Sequence, residues 1–276
     1  MNAAQLKLLV DKMPGKDGRG MYTKINGEEV GKAIAAIDAS GPAGVSGLID
    51  LLAGPGEQDD TKPHYALHAL ALHVINSGND KRQVEFAKAI ALQIGGRRPA
   101  TIQRYLCQML QTAGGREVVS ALGKVLTDEE LCESAAQALL AIGTGASKQL
   151  LAAWPTASGS CRLTLVQSLG VAADSSSVDT LRIATTDEDR DVRIAASWAL
   201  ANIGDAGSVE TVLKAADATA LYERRKQTDA ALLLAEQLAS AGKKAESKKV
   251  YQYLRDTRSD ETESHIKQAA EKALAL

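Results

Sequence analysis

Histidine side chains have the clearest potential for chemistry in this sequence, because three of the four lie in one stretch, KPHYALHALALHV. His64 and His68 stand four residues apart, so on a helix they share one face, as a metal-binding pair would. His73 stands nine residues beyond His64 and falls on the opposite side of such a helix. The pattern supplies no third ligand that would complete a tetrahedral site, so we expect a polar surface pair and no metal.

Two glycine-containing stretches come near to phosphate-binding loops. In NGEEVGKA, Asn26 replaces the first glycine of the G-x-x-x-x-G-K pattern, and Ala33 replaces the Ser or Thr that would bind magnesium. The stretch from Gly15 to Gly20, GKDGRG, follows no strand pattern, so we interpret it as a loop. The motifs of zinc proteases, α/β-hydrolases, c-type haem attachment and EF-hands are absent from the sequence. We therefore expect no catalytic residue and no cofactor.

The cysteines offer no redox or metal chemistry by their spacing. Cys107, Cys132 and Cys161 are odd in number and form no C-x-x-C pair, so a disulfide framework is not indicated. We expect three reduced, buried thiols.

The composition favours helices that pack closely. Of 276 residues, 45% are hydrophobic but only 3% are aromatic, and Ala and Leu fill the apolar positions. A net charge of -2 lacks the basic excess typical of nucleic-acid-binding proteins. The sequence shows no signal peptide and no long apolar run, which predicts a cytoplasmic protein that does not span a membrane. A segment cut from a longer or exported protein would look the same, so the compartment stays open.

A pattern of Ala and Leu followed by a small residue and then Gly or Asp recurs along the chain. Its clearest copies advance in steps of 29, 30 and 31 residues, at Leu110, Leu139, Leu169 and Leu200. Looser copies lie nearer the ends, at Ile34, Leu72 and Leu234. This period is typical of stacked helix pairs, in which each unit has a short first helix, an acidic turn and a longer second helix.

The unit from Ser176 to Asp205 shows this arrangement best. Its second helix carries one apolar stripe at steps of three and four residues, which consists of Val192, Ala195, Ala196, Ala199, Leu200 and Ile203. Gly204 ends that helix. The first helix is predicted to turn four residues inward, namely Val178, Leu181, Ile183 and Ala184.

The stretch EDRDVRIAASWALANIGDAGSV, residues 188–209, resembles a HEAT repeat of the short bacterial kind that is also found in phycobilisome-lyase-like proteins. The shared features are an acidic turn, a Val-Arg pair, Ala-rich positions and a Leu-x-x-Ile-Gly ending. They are carried here by Asp187, Asp189, Asp191, Val192, Arg193, Ala196, Leu200, Ile203 and Gly204. The resemblance implies an all-α fold, a right-handed α-α superhelix of the HEAT or armadillo-like kind.

The repeat spacing predicts a single α-solenoid over residues 1–276. Residues 1–27 would form an N-terminal cap, residues 28–218 the HEAT-like repeats, and residues 219–276 longer capping helices. The segment 222–256 also resembles a tetratricopeptide unit, and both that interpretation and a lengthened HEAT pair stay open.

The resemblance implies a function in binding. Solenoids of stacked repeats usually hold another macromolecule, so we expect a non-catalytic scaffold that binds a protein or peptide on the concave face formed by its second helices. The partner would be a separate protein or another domain of the same parent protein. The alternatives are a DNA-binding or DNA-repair HEAT-like protein, which the charge and the few aromatic residues disfavour, and a lyase-like subunit. By analogy along equivalent helices, the candidate binding residues are Arg104, Arg162, Arg190, Ser197, Trp198 and Asn202.

Two of these candidates allow sharper expectations. Trp198 lies with Ile194 and Ala201 on a second apolar strip, which fits packing between repeats as well as an exposed binding anchor. Arg162 and Arg193 each stand seven residues before a signature leucine, so they should occupy matching places in adjacent units. We expect Arg193 to lie near Asp189 or a neighbouring turn carboxylate.

Overall fold

A computed structural model describes residues 1–54 and 56–275, and most of them are helical. Lys16 and Tyr22 form an isolated antiparallel bridge, and no β-strand occurs in the described residues. The chain divides into two compact units, Met1–Gln149 and Leu150–Leu276. The prediction of an all-α, helical-repeat fold is confirmed, whereas the single solenoid with boundaries at residues 28 and 218 stays a prediction.

The first unit is built from short and medium helices. They are α1 (Ala3–Val10), α2 (Gly27–Asp38), α3 (Pro42–Asp50), α4 (Thr61–Asn76), α5 (Asp80–Ala91), α6 (Ala100–Ala113), α7 (Val119–Gly123) and α8 (Cys132–Ile142). The boundary between the units falls within α9 (Ala146–Ala153).

The second unit alternates short and long helices. They are α10 (Gly159–Ala172), α11 (Val178–Ala184), α12 (Arg190–Ile203), α13 (Val209–Ala215), α14 (Leu221–Ser240), α15 (Lys244–Thr257) and α16 (Ser264–Leu274). The three long helices α10, α12 and α14 pack side by side, with α12 in the middle. The short helices α11 and α13 pack against α12 and α14 from the other layer. The unit therefore has the two layers of a helical-repeat stack.

Local signals in the sequence set the ends of α12. The side chain of Asp189 accepts a hydrogen bond from the backbone N–H of Asp191 at the start of the helix, which satisfies a donor that has no partner within the helix. Gly204 ends it in a left-handed conformation with φ 70°, which glycine adopts without a Cβ penalty. The predicted limits of this helix are confirmed.

The signature leucines form the core. Leu110 and Leu139 in the first unit, and Leu169 and Leu200 in the second, are completely buried. Small alanines beside them let the long helices approach closely, which is how a chain with few aromatic residues fills its interior.

The prediction for Ile183 is wrong, because its side chain is 67% exposed. α11 begins only at Val178, after a single turn of 3-10 helix, and turns Val178, Leu181 and Ala184 toward the core. At 100° per residue, position 183 then points away from that face.

Candidate binding groove

A groove of about 770 Å³ lies on the face formed by α10, α12 and α14. Each helix contributes residues that lie beside the stripe that enters the core, and the buried Ala195 and Ala230 border both surfaces. The lining residues are Leu163, Gln167 and Val171 from α10, Asp191, Ile194, Ala195 and Trp198 from α12, and Tyr222, Lys226, Asp229, Ala230 and Leu233 from α14. We call this surface the α12 groove.

Large apolar side chains in the α12 groove are open to solvent. Trp198 is 37% exposed, Val171 is 59% exposed and Tyr222 is 55% exposed. Single exposed apolar residues are ordinary on protein surfaces, but a contiguous set within a concavity is typical of a binding site.

Gly170 positions the indole of Trp198. A Cβ atom at residue 170 would lie 2.6 Å from Cζ3 of Trp198 and 2.8 Å from Cβ of Ala199, so only glycine permits this approach of α12 to α10. Asn202 fixes the same contact, because its Nδ2 donates a hydrogen bond of 3.0 Å to the carbonyl of Gly170. Trp198 therefore packs between repeats with one part of its ring and faces solvent with the other, so both interpretations of its strip hold in part.

The charged groups of the α12 groove are paired with one another. Arg190 forms an ion pair of 3.0 Å with Asp191, and its guanidinium lies 5.0 Å from the centre of the Tyr222 ring. Lys226 and Asp229 are 3.9 Å apart on successive turns of α14. The groove thus presents an apolar floor with a rim whose charges compensate each other.

Arginines spaced 31 residues apart link successive helices in the second unit: Arg162, Arg193 and Arg224. Arg162 Nε lies 2.6 Å from Asp187, and the guanidinium also stacks 3.8 Å from the centre of the Trp154 ring. Arg193 holds Glu223 through Nε and Nη2 at 2.7 and 2.8 Å.

Arg224 holds Glu263 at 3.0 Å and so continues the series. Arg162 and Arg193 occupy matching places, because Nη1 of each donates to the carbonyl five residues before it. The carboxylate that Arg193 meets, Glu223, lies in the first turn of α14 and not in the turn before α12. We call this series the arginine ladder.

The structure brings only some of the predicted binding residues together. Trp198 lies in the α12 groove, with Arg190 at its rim and Asn202 behind the Trp198–Gly170 contact. Arg162 belongs to the arginine ladder, and Arg104 lies in the first unit, 2.6 Å from Glu130.

The structure contradicts the prediction that Ser197 is a binding residue. It is completely buried, because it stands one turn after Arg193 on the side of α12 that faces away from the groove, so it cannot contact a partner there.

Sequence reasoning missed most of the groove lining. The predicted binding residues did not include Val171, Tyr222 or Leu233, although the spacing of apolar residues in the sequence indicates part of this surface. Leu163, Gln167 and Val171 recur at four-residue steps on α10, as a second stripe like that of Trp198 on α12.

One histidine of the predicted pair, His64, contacts an aspartate that the sequence analysis did not consider. His64 Nδ1 lies 3.1 Å from Asp60, and the imidazole ring centre lies 4.4 Å from that of Tyr105. No group of three metal-ligating side chains occurs among the residues that the structure describes. The three cysteines are buried as predicted and form no disulfide among the described residues, and burial raises the pKa of Cys107 to about 12.

Residues 149–233 match the HEAT repeats family. The matched segment includes α10 to α13 and most of α14, so the helices of the α12 groove lie largely in the segment that matches HEAT repeats, and the predicted resemblance is confirmed there. No curated protein matches the sequence. No helix in the described part of the chain is long and apolar enough to cross a bilayer.

Solved structures similar to this chain are remote. An engineered protein is 20% identical, with 99% of this chain and 77% of that chain covered and a TM-score of 0.47. The complex of CpcE and CpcF of phycocyanin lyase from a Nostoc species is 16% identical, with 83% of this chain and 94% of that chain covered and a TM-score of 0.41. At these values the similarity does not extend to a shared function.

The arginine ladder predicts a stability change that depends on pH. The hydrogen bond from Arg193 lowers the pKa of Glu223 from its ordinary value of 4.5. A carboxyl whose pKa is lower in the folded state stabilises the fold above its unfolded pKa, and that stability is lost as pH falls through the folded pKa. We expect Arg193→Met to lower the free energy of unfolding by about 1 to 3 kcal/mol at pH 7, with a smaller difference from wild type below about pH 4.

Urea denaturation from pH 7 to pH 3 measures this difference. Arg225→Met is the matched control, because Arg225 is exposed and forms no ion pair within the described residues; we expect a change within about 0.5 kcal/mol. Equal stability losses for Arg193→Met at pH 7 and pH 3 would contradict the assignment of the effect to Glu223.

Proposed function

We propose that this chain is a non-catalytic interaction module and that the α12 groove binds apolar anchor residues of a protein or peptide partner. HEAT repeats are a kind of module that mediates protein interactions, and the matched segment contains α10, α12 and most of α14. The partner is a separate protein or another domain of the same parent protein.

The observation that carries the proposal is the exposed ring of Trp198 at the floor of the groove. Tryptophan in a concavity, flanked by further apolar side chains, has the properties of an interface hot spot. The paired charges at the rim favour a partner whose contacting face is apolar, because an unpaired charge of the partner would meet no free counter-charge there. An amphipathic helix lying along the groove would meet these requirements.

The same contacts favour a protein partner over DNA. Contact with phosphates requires free cations, but Arg162, Arg193 and Arg224 are each held by a carboxylate. Binding of duplex DNA with submicromolar affinity that falls steeply with added salt would contradict the proposal. Asp191, Lys226 and Asp229, which could act as acids or bases in the groove, are held in ion pairs, which supports a non-catalytic role.

We expect Trp198→Ala to weaken binding of the partner by at least about 30-fold, which is the effect of losing a hot-spot side chain. The same change should lower the free energy of unfolding by only about 2 kcal/mol, less than for a fully buried tryptophan, because part of the ring already faces solvent. Isothermal titration with the purified partner measures the first effect, and urea denaturation the second.

The partner is first captured by photo-crosslinking. A photoreactive amino acid is placed at Val171 in the groove and, as matched control, at Ile183, which is similarly exposed on α11. A protein captured from Val171 alone, and then bound less tightly by Trp198→Ala, supports the proposal. A partner captured equally from both positions, or one that Trp198→Ala binds as well as wild type does, would show that the groove is not the interface.

A further inference from the structure

A smaller cavity, of about 450 Å³, lies between α14 and the start of α16, across α14 from the α12 groove. Its lining includes four residues of α14 and two from the segment where α16 begins: Tyr222, Arg225, Lys226, Asp229, Glu263 and His265. We call it the α14–α16 pocket. Tyr222, Lys226 and Asp229 also line the α12 groove, so the two concavities meet along one exposed ridge of α14.

The carboxylates of the α14–α16 pocket already have counter-charges. Glu263 is held by Arg224 at 3.0 Å, and Asp229 lies 3.9 Å from Lys226. Arg225, by contrast, is exposed and forms no ion pair or side-chain hydrogen bond with any described residue. The pocket therefore contains a cation that is available to an anionic group from outside.

Asp260 interacts with Arg225 but does not occupy it. Its carboxylate accepts hydrogen bonds of 2.8 and 2.7 Å from the backbone N–H and the hydroxyl of Thr262. These hydrogen bonds are the main reason why the pKa of Asp260 is lowered, and the charge of Arg225 contributes less. A carboxylate placed directly against the guanidinium of Arg225 would add a charge-assisted hydrogen bond that the described chain does not form by itself.

The surroundings of Arg225 favour an acidic side chain over a free anion. Tyr222 and Ile266 give the pocket apolar surface, which an inorganic ion would not use. His265 is exposed and belongs to the same lining, and a neutral imidazole donates one N–H. A single exposed cation attracts an anion only weakly, so the carboxylate has to be delivered by a molecule that is held elsewhere, and the adjoining groove provides such a place.

We infer that the partner of the α12 groove carries an Asp or Glu side chain that reaches across the ridge of α14 and pairs with Arg225. This inference rests on the proposed function of the groove and specifies the chemistry of the partner. A helix with its side chains is about 10 Å wide, so the acidic residue lies about that far from an apolar anchor in the groove. A partner covers this distance in about seven residues as a helix, or in about three as an extended segment.

A phage-displayed library of random peptides of about 16 residues, long enough for four helical turns, provides the probe. Peptides that bind the whole chain but not Trp198→Ala are ligands of the groove. In these peptides we expect Asp or Glu to be enriched, relative to the unselected library, about three to seven positions from the apolar anchors. Groove ligands without this enrichment would overturn the inference and leave the proposed function standing, whereas the absence of any Trp198-dependent peptide would overturn both.

Charge exchange at residue 225 tests the ion pair directly. Arg225→Gln should weaken binding of a selected peptide about threefold to fivefold at low salt, and Arg225→Glu should weaken it further. Arg116→Gln, which changes an exposed arginine of the first unit, is the matched control and should leave the affinity unchanged. A peptide whose acidic residue is replaced by Lys should regain affinity for Arg225→Glu. Unchanged affinity in Arg225→Glu, or no recovery with the Lys peptide, would overturn the inference.

Discussion

Replacement of Glu263 by Gln is expected to lower the free energy of unfolding by about 3 to 5 kcal/mol, the largest effect of a single substitution that we foresee. The Glu263 side chain is 6% exposed and accepts hydrogen bonds of 3.0 and 3.1 Å from Arg224. Arg258, which is completely buried, lies 3.6 Å away. Without the carboxylate, the buried Arg258 charge loses its counter-charge.

Chemical denaturation at neutral pH measures this loss. Glu261→Gln is the matched control, because Glu261 belongs to the same turn but is exposed, and it should change stability by less than about 0.5 kcal/mol. The double variant with Glu263→Gln and Arg258→Met should lose less free energy of unfolding than the sum of the losses in the two single variants, because the two side chains interact. A loss below about 1 kcal/mol for Glu263→Gln would show that the carboxylate does not anchor this end of the arginine ladder.

Substitution of Gly170 by Ala is expected to destabilise the chain by about 1 to 3 kcal/mol and to displace the indole of Trp198. An alanine in a helix ordinarily adds up to about 1 kcal/mol of stability relative to glycine, so the sign of the effect is informative. Here the new methyl group would meet Trp198 at 2.6 Å and Ala199 at 2.8 Å, and both contacts are too close without a shift of α12.

Thermal and urea denaturation measure the change, and the difference in tryptophan fluorescence between Gly170→Ala and wild type reports the displacement, since Trp154 contributes to both spectra. Gly31→Ala provides the control, since Gly31 lies inside α2 with nothing within 4 Å of an added Cβ; it should stabilise the protein slightly. Combining Gly170→Ala with Trp198→Ala should recover part of the loss, because one of the two close contacts then disappears. A Gly170→Ala variant as stable as wild type would indicate that α10 and α12 can separate freely.

Much of the fold could be predicted because apolar spacing reports which face of a helix enters the core. Leu169 and Leu200 recur with the repeat and are buried, and the acidic turn and Gly204 define the ends of α12. The prediction for Ile183 failed because that reasoning was not applied strictly: two residues after the buried Leu181, a helix has turned by about 200°, so Ile183 faces away from the core.

The candidate site was less predictable, because periodicity describes one helix and a site depends on its neighbours. Trp198 was recognised, but its double role depends on the missing side chain of Gly170 on another helix. Ser197 looked polar and available in the sequence, but it is buried. Arg225 gave no signal of its own, since only the assembled helices show that a carboxylate holds its neighbour Arg224 and that no described carboxylate holds Arg225.

The 31-residue step of the arginine ladder makes this part of the chain suited to growth by duplication. Residues 163–193 contain both an acid that is held, Asp187, and an arginine that holds the next one, Arg193. If that block were copied in tandem, Arg162 would meet the first Asp187, the first Arg193 would meet the second Asp187, and the second Arg193 would meet Glu223. Every junction, old and new, would keep an ion pair, so the number of repeats could change without leaving a charge unmatched.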